Sequence, residues 1–111
     1  MNPESIADAY FSAIRAKDVD AFVALFAEDA DYIMPNGTSY HGTAQIRDIQ
    51  SHVFASGSPV PTPVSIMADD TGMAVEVEAR LPDGSIRNTV NLYRFNDIGL
   101  IQRLSVYIKT G

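Results

Sequence analysis

The sequence contains no cysteine, which excludes disulfides, thiolate catalysis and cysteine-ligated metal sites. Basic residues are scarce: 8 Lys and Arg stand against 14 Asp and Glu, for a formal net charge of -6. Nothing resembles a basic stripe, and phosphate backbones are held mainly by Lys and Arg, so nucleic acid is not an expected partner. The acidic excess reads as solubility. No apolar run approaches the roughly 20 residues that a membrane-spanning helix needs. The opening Met1-Asn2-Pro3-Glu4 lacks the basic and apolar regions of a secretory signal, so a cytoplasmic location is expected. His41 and His52 are too far apart for a metal motif, and neither a glycine-rich phosphate loop nor a nucleophile elbow is present. No cofactor is expected.

What remains is an ordinary globular composition. At 111 residues, 46% hydrophobic, the chain suits one domain over 1–111 with a modest core. Residues 3–16 read as an amphipathic helix. Asn2 can cap it, Pro3 suits its first turn, and Ile6, Ala7, Tyr10, Phe11 and Ile14 share one stripe. Asp18 starts a second helix with Val19, Phe22, Val23 and Phe26 as its stripe, closed by Glu28-Asp29. Ala30 to Met34 alternates as a short strand, with Tyr32 and Met34 on one side and Asp31 on the other. Pro35-Asn36-Gly37 turns the chain, and Thr43 can cap a third helix that buries Ile46, Ile49 and Val53.

After a Pro- and Ser-rich surface loop, only strands follow, at about 64–69, 73–81, 86–95 and 100–109. Each intervening turn carries the Gly or Asp that hairpins demand. Helices at one end of the chain and a meandering antiparallel sheet at the other make an α+β fold.

This order resembles the nuclear transport factor 2-like superfamily, including its SnoaL-like and ketosteroid isomerase-like members. The stretch from Asp18 to Ala30 is similar to the family's second helix. Pro35-Asn36-Gly37 with His41-Gly42 is similar to the loop before its third helix, and Tyr93 to Ile101 resembles its last hairpin. The resemblance covers nearly the whole chain. It implies a cone-shaped sheet wrapped around three helices, a pocket for a small apolar ligand, and a homodimer packed through the outer sheet face. It identifies the superfamily well and the reaction poorly, because fold is not function.

Ketosteroid isomerases pair an Asp base with an oxyanion hole made of a Tyr and a protonated Asp. The resemblance places that Tyr at Tyr10. The protonated acid falls on Asn91, whose amide is a neutral hydrogen-bond donor. The base position is Met34, which cannot accept a proton, and moving a proton between carbons needs a base within hydrogen-bonding reach. The resemblance therefore leaves two functional readings. One is an isomerase, dehydratase or cyclase acting on a small carbonyl compound, with Tyr10 and Asn91 on its oxygen. The other is a non-catalytic binding protein or dimeric scaffold.

Strand parity bears on a replacement base. A four-residue turn over 82–85 pairs Leu81 with Ile86, which puts Glu76 opposite Asn91 and leaves Val75, Val77, Val90 and Leu92 on the other face. Alternation alone favours the valine face as core, with Glu76 and Glu78 in water. The resemblance favours the polar face as pocket lining, since Asn91 must face inward to meet Tyr10. On that reading Glu76 is a candidate acid or base, and Phe26, Tyr32, Met34, Tyr93, Leu104, Val106 and Ile108 line the pocket. His41 reads as a structural residue of its turn, and His52 as one that could approach the pocket mouth.

Overall fold

The computed structural model describes residues 2–109. The first helix, α1 (Pro3–Ala16), forms where its local signals predict it. The Asn2 side chain accepts from the Ser5 N–H at 2.8 Å, and Ile6, Ala7, Tyr10, Phe11 and Ala13 are buried. Lys17 takes the left-handed conformation, Asp18 N–H bonds back to Ala13, and Asp18 at once caps α2 (Val19–Val23) through the Ala21 N–H. That second helix is shorter than its apolar stripe suggests. Phe26 does not belong to it but opens β1 (Phe26–Ile33), and Glu28 and Asp29 lie within the strand.

A short strand with no alternation of its own, β2 (Ser39–His41), pairs with β1. It leads into α3 (Gly42–Ala55), whose N-cap is His41, not Thr43. The Gln45 side chain reaches back to accept from the His41 N–H at 2.9 Å. On α3, Ile46, Gln50 and Phe54 are buried, with Ile49 and Val53 half-buried beside them.

Four long strands follow: β3 (Val60–Ala68), β4 (Gly72–Arg80), β5 (Ile86–Phe95) and β6 (Ile101–Ile108). The sheet is curved, with strand order β2-β1-β6-β5-β4-β3. Its pairs are antiparallel except β1 with β6, which run parallel. β3 starts at Val60 despite Pro61 and Pro63. It is an edge strand, where a missing N–H breaks no ladder.

The β4–β5 hairpin differs from the expected register by one residue, and the cause is local. The Leu81 N–H bonds to the Ser85 carbonyl at 2.9 Å, and Gly84 has φ +89°. Leu81 and Ser85 therefore close a three-residue loop, not a four-residue one. Gly takes the left-handed position of that loop at no steric cost. The ladder then pairs Val75 with Asn91, Glu76 with Val90 and Val77 with Thr89. Because side chains alternate, a one-residue slip moves every one of them to the other face. Val75, Val77, Thr89, Asn91 and Tyr93 face the helices, while Glu76, Glu78, Asn88, Val90 and Leu92 face outward. An all-apolar outer face and an inward Glu76 are thereby corrected.

The core lies between the helices and this inner face. Tyr93, Phe11, Phe22, Ile46, Ile101, Leu104 and Val75 are its largest fully buried side chains. A run of aromatic rings joins them: Tyr10 meets Phe11, Phe22 and Tyr93 at centroid distances of 5.0, 5.3 and 5.3 Å.

Candidate functional site

A cavity of about 220 Å³ opens beside this aromatic run. Tyr10, Phe11 and Ile14 of α1 form one wall and Gln50 and Val53 of α3 another. Tyr32 and Met34 contribute from β1 and the turn after it. The inner sheet face supplies Val77, Ala79, Arg87, Thr89, Asn91 and Val106, and Ser58, Pro59 and Pro61 belong to the segment at its rim. The lining is mostly apolar. An apolar cavity of about 150 Å³ already holds a benzene ring, so this one suits a molecule of one or two rings.

The polar groups lie in two chains of hydrogen bonds. Tyr32 Oη donates to Gln50 Oε1 at 3.3 Å. Asn91 Nδ2 donates to Tyr93 Oη at 3.1 Å, and Thr89 Oγ1 reaches Asn91 Oδ1 at 3.5 Å. Tyr10 ties the two together: its ring stands edge-on to that of Tyr93, and its hydroxyl interacts with those of Tyr93 and Tyr32. The Asn91 amide carries two N–H groups, so one is left for a ligand.

Burial sets the protonation of the phenols. Desolvation, then the neighbouring hydroxyls of Tyr93 and Tyr32, raise the Tyr10 pKa well above its ordinary value. Burial likewise pushes Tyr32 up to about 12 and raises Tyr93 strongly. At neutral pH all three are protonated hydrogen-bond donors, not bases. Among the described residues that line the cavity, Arg87 is the only ionised side chain; there is no Asp, Glu or His.

Of the residues expected at the site, Tyr10, Tyr32, Met34, Asn91 and Val106 line the cavity together. The others do not. Glu76 is on the outer face, where its carboxylate meets Lys109 Nζ at 3.3 Å and its side chain is 50% exposed. Phe26 packs between Phe22 and Tyr32 within the core. Tyr93 and Leu104 are inward but fully buried and do not line the cavity, and Ile108 is inward by parity yet exposed near the strand's end. His41 lies outside, with Nδ1 2.7 Å from Asp31 Oδ1. His52 lines a separate surface groove with Tyr40 and Asp48.

Gln50, Thr89 and Arg87 were missed. Gln50 had a readable signal, since it lies four residues from both Ile46 and Phe54 on the buried stripe of α3. Thr89 and Arg87 had one as well, since they lie two and four residues before Asn91 and share its face of the strand whatever the hairpin register.

Helices held in a curved sheet, with an internal cavity between them, define a protein of the nuclear transport factor 2-like superfamily. Residues 7–104 match the SnoaL-like domain, and the chain belongs to that family. The fold is similar to a candidate ketosteroid isomerase from Kribbella flavida, with 25% identity over 96% of this chain and 77% of that one and a TM-score of 0.84. It is also similar to a candidate polyketide cyclase from Sinorhizobium meliloti, with 28% identity, 92% and 93% coverage and a TM-score of 0.78. A protein with a ketosteroid isomerase-like fold from Catenulispora acidiphila, solved with trimethylamine, is 19% identical over 96% of this chain and 86% of that one, with a TM-score of 0.80. No curated protein matches the sequence significantly. Among the described residues, no helix is long and apolar enough to cross a membrane.

Proposed function

We propose that the chain binds a small, largely apolar molecule carrying a carbonyl or phenolic oxygen, and that it does not carry out the carboxylate-based proton transfer of the ketosteroid isomerases. One observation carries this reading: the cavity has hydrogen-bond donors in Tyr10 and Asn91 but, among the described residues, no carboxylate or imidazole on its lining. Proton transfer between carbons needs an acceptor within reach of the substrate. Met34 occupies the expected position, and Glu76, the candidate replacement, points to the other side of the sheet. What remains is a polar patch complementary to one oxygen, set in an apolar pocket.

Calorimetric titration with a simple phenol, followed by an assay on an unconjugated ketosteroid, tests it. Binding without turnover is expected. Turnover that a cavity-lining substitution abolishes would sink the reading, and so would failure to bind any phenol. Pairing through the outer sheet face belongs to the same proposal, because half-buried Val90 and Leu92 lie there beside 55%-exposed Tyr107. Sedimentation at the mass of one chain removes that part.

A further inference from the structure

Arg87 sits on the inner face of β5, four residues before Asn91, so both side chains belong to the same cavity. Four residues of strand separate their backbones by roughly 13 Å. Among the described residues, its surroundings leave the guanidinium without a counter-charge. Its cross-strand partner on β4 is Ala79, and its neighbours along the same face, Val77 and Thr89, are neutral. The nearby acids Glu76 and Glu78 project from the opposite face. Among the described residues, the ion pairs are His41–Asp31, Arg47–Asp20 and Lys109–Glu76, and none includes Arg87. In a chain of net charge -6, a lone cation on a cavity wall that carries no acid favours an anion there.

We infer that the ligand is a small aromatic or alicyclic acid. Its carboxylate is held by Arg87 at one end of the cavity, its ring lies along the apolar wall, and its carbonyl or phenolic oxygen reaches Tyr10 and Asn91. A planar guanidinium offers a carboxylate two parallel hydrogen bonds, so it recognises that group by shape as well as charge. The inference rests on the binding reading above and adds the acidic end that Tyr10 and Asn91 alone do not specify. It also disfavours cationic ligands, which Arg87 would repel.

Titration with para-hydroxyphenylpropionate and with its methyl ester separates the two claims, because the pair differs only in the charged end. The wild-type protein is expected to bind the acid about tenfold more tightly than the ester, a modest value for a charge-assisted contact near solvent. Arg87→Gln is expected to remove that preference while changing ester binding by less than about twofold. Arg87 is exposed, so the variant should fold, and its circular dichroism checks this. Equal binding of acid and ester by the wild type overturns the carboxylate inference and leaves the cavity reading intact. A preference for a benzyltrimethylammonium ion over the acid overturns it as well. Failure to bind either phenol removes the cavity reading, and the inference falls with it.

Discussion

The two faces of the β4–β5 hairpin take alternate residues of one backbone, yet they are chemically unlike. On the inner face, Asn91 and Thr89 are polar but buried, and each is tied into a hydrogen-bond chain that ends at Tyr93. On the outer face, Glu76 and Asn88 are polar and exposed, and the Lys109–Glu76 ion pair there joins two largely solvated side chains. A polar group buried without a partner is costly, whereas one in water gains little from a partner. Polarity alone therefore does not mark a functional face. What marks it is polarity retained where water is absent.

The largest expected consequence is alkaline. Tyr10, Tyr32 and Tyr93 are buried with raised pKa values, Tyr32 at about 12. In the unfolded chain tyrosine ionises near 10. Above that value the unfolded state holds fewer protons than the folded one, so stability falls as pH rises. It is fully present below about pH 10 and is lost progressively above it. One unit higher, each buried phenol costs on the order of 1 kcal/mol and the three together several kcal/mol, a large share of a small domain's stability. Denaturant melts from pH 8 to 11 should show this, and Tyr32→Phe should flatten the loss by about a third. A flat profile would mean that the phenols ionise in place and that the inner face is wetter than described.

A smaller contrast lies within β5 itself. Asn91→Ala leaves the Tyr93 hydroxyl without its amide donor at full burial and should cost about 1–3 kcal/mol. Asn88→Ala, three residues earlier and exposed, should stay within about 0.5 kcal/mol. Urea denaturation of both variants measures the difference. Equal costs would erase the distinction between the faces.

Much of this was readable from residues close together in the sequence. The first helix needs only the Asn2 cap and a stripe from Ile6 to Phe11, and both are local. The resemblance brought Tyr10, Met34 and Asn91 to one cavity, and the structure places all three there. Features decided by pairing were not readable. Phe26 fits either a helix stripe or a strand, and only its pairing with Ile101 makes it strand. β2 exists because Tyr40 finds Tyr32, not because three residues alternate. Above all, the facing of Glu76 relative to Asn91 hinges on whether the loop after Leu81 holds three residues or four. The φ of Gly84 decides that, and no amount of alternation along the strand reveals it.

Glu76 therefore gives the smallest expected effect and the most direct check on the register. Its contact with Lys109 is 3.3 Å long between two side chains that are at least half exposed. Such pairs contribute at most about 1 kcal/mol, and salt screens them further. Glu76→Gln should change stability by less than about 0.5 kcal/mol. It should also leave phenol affinity unchanged, because the sheet separates the carboxylate from the cavity. Had the four-residue turn been correct, the same substitution would replace a carboxylate on the cavity wall and shift ligand binding along with its pH dependence. A Glu76→Gln variant with altered phenol affinity would therefore place the acid inside the pocket. It would restore a base to the site and reopen the case for catalysis.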